Sequence, residues 1–240
     1  MSVYQSRLLG RTEVAQGTMA FQFEKPNKFV FKAGQYIDLS ISSRQQEPSQ
    51  GLVHTLSIAS SPCEEELVVT TRMRDTVFKQ ALSVLPIGSE VQIGGPMGSF
   101  SLHNNTAKPA VFLAGGIGIA PFLSMVTYAT GEQLRHTIVL FYANRCLEDA
   151  AFIDNLWKLE GVNPSFRFVP TFTRMANGNG HRKGRTGHIS SEMLLAEIGI
   201  ARGPIYYIAG PPTMVAATRR TLGEVGVDED DIRTEEFAGY

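Results

Sequence analysis

The chain has 240 residues, 43% hydrophobic and 19% charged, enough apolar material for one or two folded domains. Lys plus Arg number 22 and Asp plus Glu 23, a net charge of -1, which excludes the basic excess of a general nucleic-acid binder and the acidic run of a disordered tail. Two cysteines, Cys63 and Cys146, exclude a four-thiolate iron–sulfur cluster and a disulfide framework. The N-terminal MSVYQSRLLGRTEVAQ has no apolar leader-like run, so a cytoplasmic location is the expectation. The uncharged stretch between Lys108 and Glu132 carries Gly115, Gly116, Gly118 and Pro121, which suits a strand–turn–helix rather than a membrane span.

From residue 1 to about 102, short β-rich runs alternate with turn residues. Phe29 to Phe31, Tyr36 to Ile41, Thr55 to Ala59, Leu67 to Arg72 and Glu90 to Ile93 read as strands. Gly34, Pro48 to Gly51, Ser61-Pro62, Pro86 to Gly88 and Gly94 to Gly98 punctuate them, and one helix is predicted over Thr76 to Leu85. Such spacing predicts a small antiparallel barrel or sandwich. The polar segment His103 to Lys108 reads as a linker, dividing a β module (1–103) from an α/β module (104–240).

Beyond the linker, strands at Val111 to Ala114, Thr137 to Ala143, Phe166 to Thr173 and Ile205 to Ala209 alternate with helices. The helical patterns fall at Pro121 to Thr130, Asp149 to Glu160, Ser190 to Ile198 and Pro212 to Val225. Strands without polar alternation predict a doubly wound parallel sheet covered on both faces. Ala176 to Arg185 is a Gly/Asn/basic loop.

Gly115-Gly116-Ile117-Gly118-Ile119-Ala120-Pro121 follows a strand and opens a helix. Glycines there let the backbone approach a pyrophosphate, whose charge the helix N-terminus then stabilises. Gly116, Gly118 and Pro121 are the candidates, with Pro121 at a first-turn position; a plain tight turn accounts for the same residues. The next strand ends in Asn144-Arg145, where an NAD site would place Asp or Glu against the ribose. A guanidinium suits the 2′-phosphate of NADP, although Arg145 capping a strand end in solvent explains it as simply. Thr173-Arg174 closes the following strand, and Arg182, Lys183 and Arg185 add positive charge beyond it. There is no G-x-S-x-G, H-E-x-x-H or P-loop, and the five histidines lack ligand spacing.

Taken in order, a set of short motifs resembles the ferredoxin–NADP reductase-like flavoproteins over essentially the whole chain. These are Gly34-Gln35-Tyr36, His54-Thr55-Leu56-Ser57-Ile58-Ala59-Ser60-Ser61-Pro62 and Gly95-Pro96-Met97-Gly98-Ser99-Phe100. Gly115 to Phe122, Ala209-Gly210-Pro211-Pro212-Thr213-Met214 and Glu235-Glu236-Phe237 complete it. The resemblance implies a six-stranded antiparallel barrel carrying flavin, FAD before FMN, and a five-stranded parallel sheet carrying the nicotinamide nucleotide, NADP(H) before NAD(H). It further implies hydride transfer from NAD(P)H to flavin, then electrons to a separate acceptor such as ferredoxin, flavodoxin or an oxygenase component. A free-flavin or quinone reductase and a non-catalytic nucleotide-binding regulatory protein are the alternatives.

The family's Arg-x-Tyr-Ser/Thr motif beside the flavin is His54-Thr55-Leu56-Ser57 here. By resemblance, His54 stands where the Arg binds flavin phosphate, Leu56 where the aromatic covers the isoalloxazine, and Ser57 supplies the hydroxyl near the reactive nitrogen. Arg72, Arg74 and Thr76 resemble the second phosphate-binding segment, and Thr76 reads equally as a helix cap. Gly210 and Pro211 would lie beside the nicotinamide, after Ala209 where the family often has Cys. Phe237 matches the ring that covers the flavin until nicotinamide displaces it, and Tyr240 extends toward the adenine. Ser57 and Phe237 are the expected catalytic groups.

Overall fold

The computed structural model describes residues 2–41, 52–174, 184–199 and 201–237. Two long strands, β1 (Val3–Ala15) and β2 (Thr18–Glu24), open the fold as a hairpin that turns at Gly17, where φ is 65°. The strands β3 (Tyr36–Ile41), β4 (Leu52–Ser57), β5 (Glu66–Arg72) and β6 (Glu90–Met97) complete an antiparallel sheet of order β4-β3-β6-β1-β2-β5. A bridge between Ile58 and Val69 brings its two ends together, curling it into a barrel. Every second residue points inward, and Leu8, Phe21, Phe23, Ile37, Leu39 and Val69 are fully enclosed.

Two details depart from the expectation. The hairpin over residues 3–24 had no predicted counterpart, and Phe29 to Phe31 is not a strand. Phe29 and Phe31 are instead plugs, 2% and 6% exposed, with Phe29 edge-on to Tyr4 at 5.2 Å. Apolar enrichment marked their burial correctly but not their backbone. The helix α1 (Val77–Val84) is capped by the Thr76 hydroxyl at its start. At its end Arg11 Nη1 donates to the Ser83 and Leu85 carbonyls, which fixes the helix on the barrel.

The second sheet is built from β7 (Ala110–Gly115), β8 (Ile138–Asn144), β9 (Phe166–Phe172), β10 (Arg185–Thr186), β11 (Ile205–Gly210) and β12 (Ile232–Glu236). All neighbours are parallel, in the order β10-β9-β8-β7-β11-β12. The two-residue β10 adds an edge to the five expected strands. One face is covered by α2 (Ile119–Gly131) and α3 (Ile153–Val162), the other by α4 (Ser191–Ile198) and α5 (Pro212–Glu224). Strand order reverses at β7, between β8 and β11, so the crevice at the carboxyl ends of β7 and β11 is where such a sheet binds ligands.

Polar contacts lock the barrel onto this sheet. Ser124 Oγ in α2 donates to the Ser60 carbonyl at 2.6 Å, and the Gln16 amide donates to the Glu148 carbonyl at 2.8 Å. His103 is pinned between the Tyr207 hydroxyl (3.0 Å) and the Lys108 carbonyl (2.9 Å), so the connecting segment is held rather than loose. No helix among the described residues is long and apolar enough to cross a membrane.

Candidate active site

A cavity of about 500 Å³ opens where the barrel meets the carboxyl edge of the parallel sheet. Its barrel wall comes from β4, β5 and α1, and its other wall from Ile117, Glu235, Glu236 and Phe237. Ser57 ends β4 at 4% exposure, and its Oγ donates to Glu235 Oε1 at 3.0 Å. Glu235 is placed by strand pairing: β12 lies beside β11 with Glu235 opposite Ala209. Its second oxygen, Oε2, is buried without a hydrogen-bond partner among the described residues.

Burial pushes the Glu235 carboxyl up to about 7, with the Ser57 hydrogen bond pulling the other way. A carboxyl poised there exchanges a proton near neutrality, and the Ser57 hydroxyl is the group through which it reaches the cavity. Phe237 follows two residues later, tied down by its amide donating to the Gly210 carbonyl at 3.1 Å. The turn at Gly210 is thus tied to Phe237, which lines one end of the cavity, while Gly210 and Pro211 are not among the lining residues.

The opposite end is cationic. His54, Arg72 and Lys79 line it, with Thr55, Thr70 and Thr71 between. Strand alternation sets His54 and Leu56 on one face of β4 and Thr55 and Ser57 on the other. Thr55 Oγ1 donates to Asp38 Oδ1 at 2.5 Å. Leu56 touches the cavity but is only 5% exposed and packs into the barrel core, leaving it little surface for covering a ring. Thr76 and the exposed Arg74 do not line the cavity; the Thr76 hydroxyl accepts the Lys79 amide as a cap.

The glycine turn has a tighter reason than ligand approach. Gly116 takes φ 52°, and a Cβ on Gly118 would sit 2.2 Å from the Ala209 carbonyl oxygen. Gly118 thus lets the start of α2 close onto β11, while Pro121 is buried in the first turn of that helix. Of this turn only Ile117 reaches the cavity.

At the ends of β8 and β9 the expected cations divide. Arg145 is held by Asp149 through two bonds, Nε to Oδ2 at 2.7 Å and Nη2 to Oδ1 at 2.9 Å. Asp149, 8% exposed, also faces Arg72 at 3.6 Å across the junction, and the Arg145 bonds hold its carboxyl below the usual range. Asn144 is buried, its amide atoms without partners among the described residues. The Thr173 and Arg174 amides bond the Asn144 and Arg145 carbonyls at 3.0 and 2.8 Å, leaving both side chains exposed, and Arg174 makes no ion pair among the described residues. Arg185 is not part of this group: its guanidinium pairs with Glu197 of α4. Tyr240, Arg182 and Lys183 lie outside the described residues.

Three residues of this site were not singled out from sequence. In the sequence Glu235 stands only within a motif, Asp149 at a helix start, and Lys79 inside a helix. The Arg145-to-Asp149 spacing of four was a readable ion-pair signal. Lys79 and Glu235 gave none, because their burial depends on the barrel and on β12 joining the sheet.

A barrel and an open parallel sheet sharing one cleft at the switch point define an architecture, that of the two-module dinucleotide-binding folds. The sequence model of the oxidoreductase NAD-binding domain matches residues 112–220. The reductase component of propane 2-monooxygenase from Mycolicibacterium smegmatis is 27% identical over 89% of this chain and 61% of its own length. The ferredoxin–NAD(P)+ reductase component of the naphthalene 1,2-dioxygenase system from Pseudomonas putida is 26% identical over 87% of this chain and 61% of its own. This chain therefore spans about three-fifths of the length of these relatives. A ferredoxin NADP+ reductase structure from Neisseria gonorrhoeae, with bound FAD and NADP, superposes with a TM-score of 0.83 at 24% identity, covering 98% of this chain and 99% of that one. Residues 112–220 thus match the oxidoreductase NAD-binding domain, and the chain shares the fold of the ferredoxin–NADP reductase structure.

Proposed function

We propose that this chain is the NAD(P)H-oxidising flavin unit of an electron-transfer system, residues 1–103 holding FAD and residues 104–240 the nicotinamide nucleotide. The observation that carries the reading is the Ser57–Glu235 hydrogen bond beside Phe237, at the cleft where the two sheets meet. The residues present suit a flavin nucleotide, since one end of the cleft is cationic and the other offers a hydroxyl, a buried carboxyl and an aromatic ring. FAD bound there supplies a two-electron hydride acceptor that releases electrons singly.

The protein's own part is positioning and proton management. Gly210, Pro211 and Phe237 shape the end of the cleft that receives the nicotinamide, and Phe237 must yield its place to it. Ser57 holds the hydrogen bond at the reacting end, and Glu235 holds or releases a proton through the Ser57 Oγ. Closing the cleft around both rings excludes water from the transfer. The relatives named as oxygenase reductase components support a separate acceptor, such as an oxygenase component, a ferredoxin or a flavodoxin.

We infer that NADP(H) is preferred and that Thr173 and Arg174 carry the preference. Arg174 is exposed and makes no ion pair among the described residues at the end of β9, whereas Asp149 occupies the Arg145 guanidinium. The test is a visible spectrum of the purified protein with and without added FAD. A yellow protein with flavin absorbance that survives desalting is expected; a protein that stays colourless with FAD present overturns the reading.

A further inference from the structure

Position 54 is a poor place for a positive charge. The His54 ring stacks on Phe78 at 5.0 Å, and burial, reinforced by the Lys79 ammonium, holds it below its ordinary titration range. Burial and Lys79 thus favour the neutral ring against the opposing pull of Asp38, which leaves His54 a weak cation for a flavin phosphate.

Lys79 is placed against three ordinary rules. It is 8% exposed, although a buried ammonium is normally paired. It forms no ion pair with a carboxylate among the described residues; its Nζ donates once, to the Arg72 carbonyl at 2.8 Å, leaving two donors uncommitted. It also lies in the first turn of α1, where the helix dipole disfavours a cation and no acidic residue offsets it.

Neighbouring charges do not relieve it. Arg72 on β5 and Arg74 after it add positive charge, and burial with Arg74 pushes the Lys79 ammonium toward losing its proton. On the remaining elements, His54 on β4 is held toward its neutral form, Asp38 on β3 accepts from Thr55, Asp75 before the cap accepts from Gln80, and Asp149 is committed to Arg145 and Arg72. One anion in the cavity would satisfy every one of these strained placements at once.

We propose that Lys79 is the phosphate-binding cation of the flavin site, supplying from α1 the charge that His54 does not. The ligand class is a flavin carrying a phosphate ester, with the phosphate toward Lys79 and Arg72 and the ring system toward Ser57 and Phe237. The proposal rests on the flavin reading and deepens it.

The experiment titrates flavin-free protein with FAD, FMN and riboflavin, following quenching of flavin fluorescence, for wild type, Lys79→Met and Lys79→Arg. FMN differs from riboflavin only by the phosphate. Lys79→Met is expected to lose about 10- to 100-fold in affinity for FAD and FMN, the scale of a charge-assisted hydrogen bond, while riboflavin affinity stays within about twofold. Lys79→Arg recovers most of the loss. Thermal melting gives an independent reading: flavin-free Lys79→Met melts above wild type, because an unpaired buried charge is gone. Equal losses for all three flavins, unchanged FAD and FMN affinity, or a Lys79→Met melting point below wild type overturn the assignment. Wild type that binds none of the three flavins overturns the flavin reading itself, a distinct outcome.

Discussion

Replacing Glu235 by Gln removes a buried charge and keeps the acceptor for the Ser57 hydroxyl. The Glu235 carboxyl is raised from 4.5 to about 7, so between those values the folded protein holds a proton that the unfolded chain has released. Stability from this group is therefore complete below pH 4.5 and is lost as pH rises through about 7. At about 1.4 kcal/mol per pH unit, the loss reaches ~3 kcal/mol at pH 8, an upper value because solvent at the cavity mouth screens the charge. Glu235→Gln does not titrate, so it is expected to exceed wild type by up to ~3 kcal/mol at pH 8 and to converge with it near pH 4.5. For a chain of this size that corresponds to a melting-point gap of roughly 5–10 °C at the higher pH. Scanning calorimetry of both flavin-free proteins at pH 5 and pH 8 measures it. A gap that is the same at both values, or wider at pH 5, refutes the argument that Glu235 is buried without full compensation.

Ser57→Ala takes away the hydrogen bond that pulls the Glu235 carboxyl down, so the midpoint of the pH–rate profile is expected to move upward. The rate of flavin reduction should fall about 100-fold; stopped-flow rates across pH that are unaltered in both respects sink the proposed role. Gly118→Ala forces a Cβ to 2.2 Å from the backbone oxygen of Ala209, which cannot move without shifting β11. A loss of ~1–3 kcal/mol in denaturant unfolding is expected, and an unchanged midpoint would show that the turn is slack. Asp149→Asn releases Arg145 from its carboxylate, and the ratio of kcat/KM for NADPH over NADH should rise several-fold; an unchanged ratio means Arg145 lies out of reach of the ribose.

The alternation of strands and helices after residue 109 was legible because buried parallel strands read as unbroken apolar runs, as in Val111 to Ala114 and Ile205 to Ala209. Ser57 and Phe237 were legible through their motifs, and both line the same cavity, with Gly210 bonded to the Phe237 amide behind it. The opening hairpin was less so: in β1 only Ser6 and Leu8 are fully buried, so its pattern is mostly polar and lacks the usual inward series. Glu235 reads in the sequence as part of a chain-end tail, and pairing of β12 with β11 makes it a strand residue with a buried carboxyl oxygen. Arg145 shows the other limit. Its position at a strand end was legible, but the sequence alone did not show that Asp149 engages its Nε and Nη2 donors.

As proposed, the cleft passes a hydride from a reduced nicotinamide to a bound flavin. Rapid anaerobic mixing of the FAD-loaded protein with NADPH, and separately with NADH, monitors it through the loss of flavin absorbance. Fast bleaching, quicker at equal concentration with NADPH, is the predicted result. A protein that binds FAD yet is reduced by neither nucleotide contradicts the account.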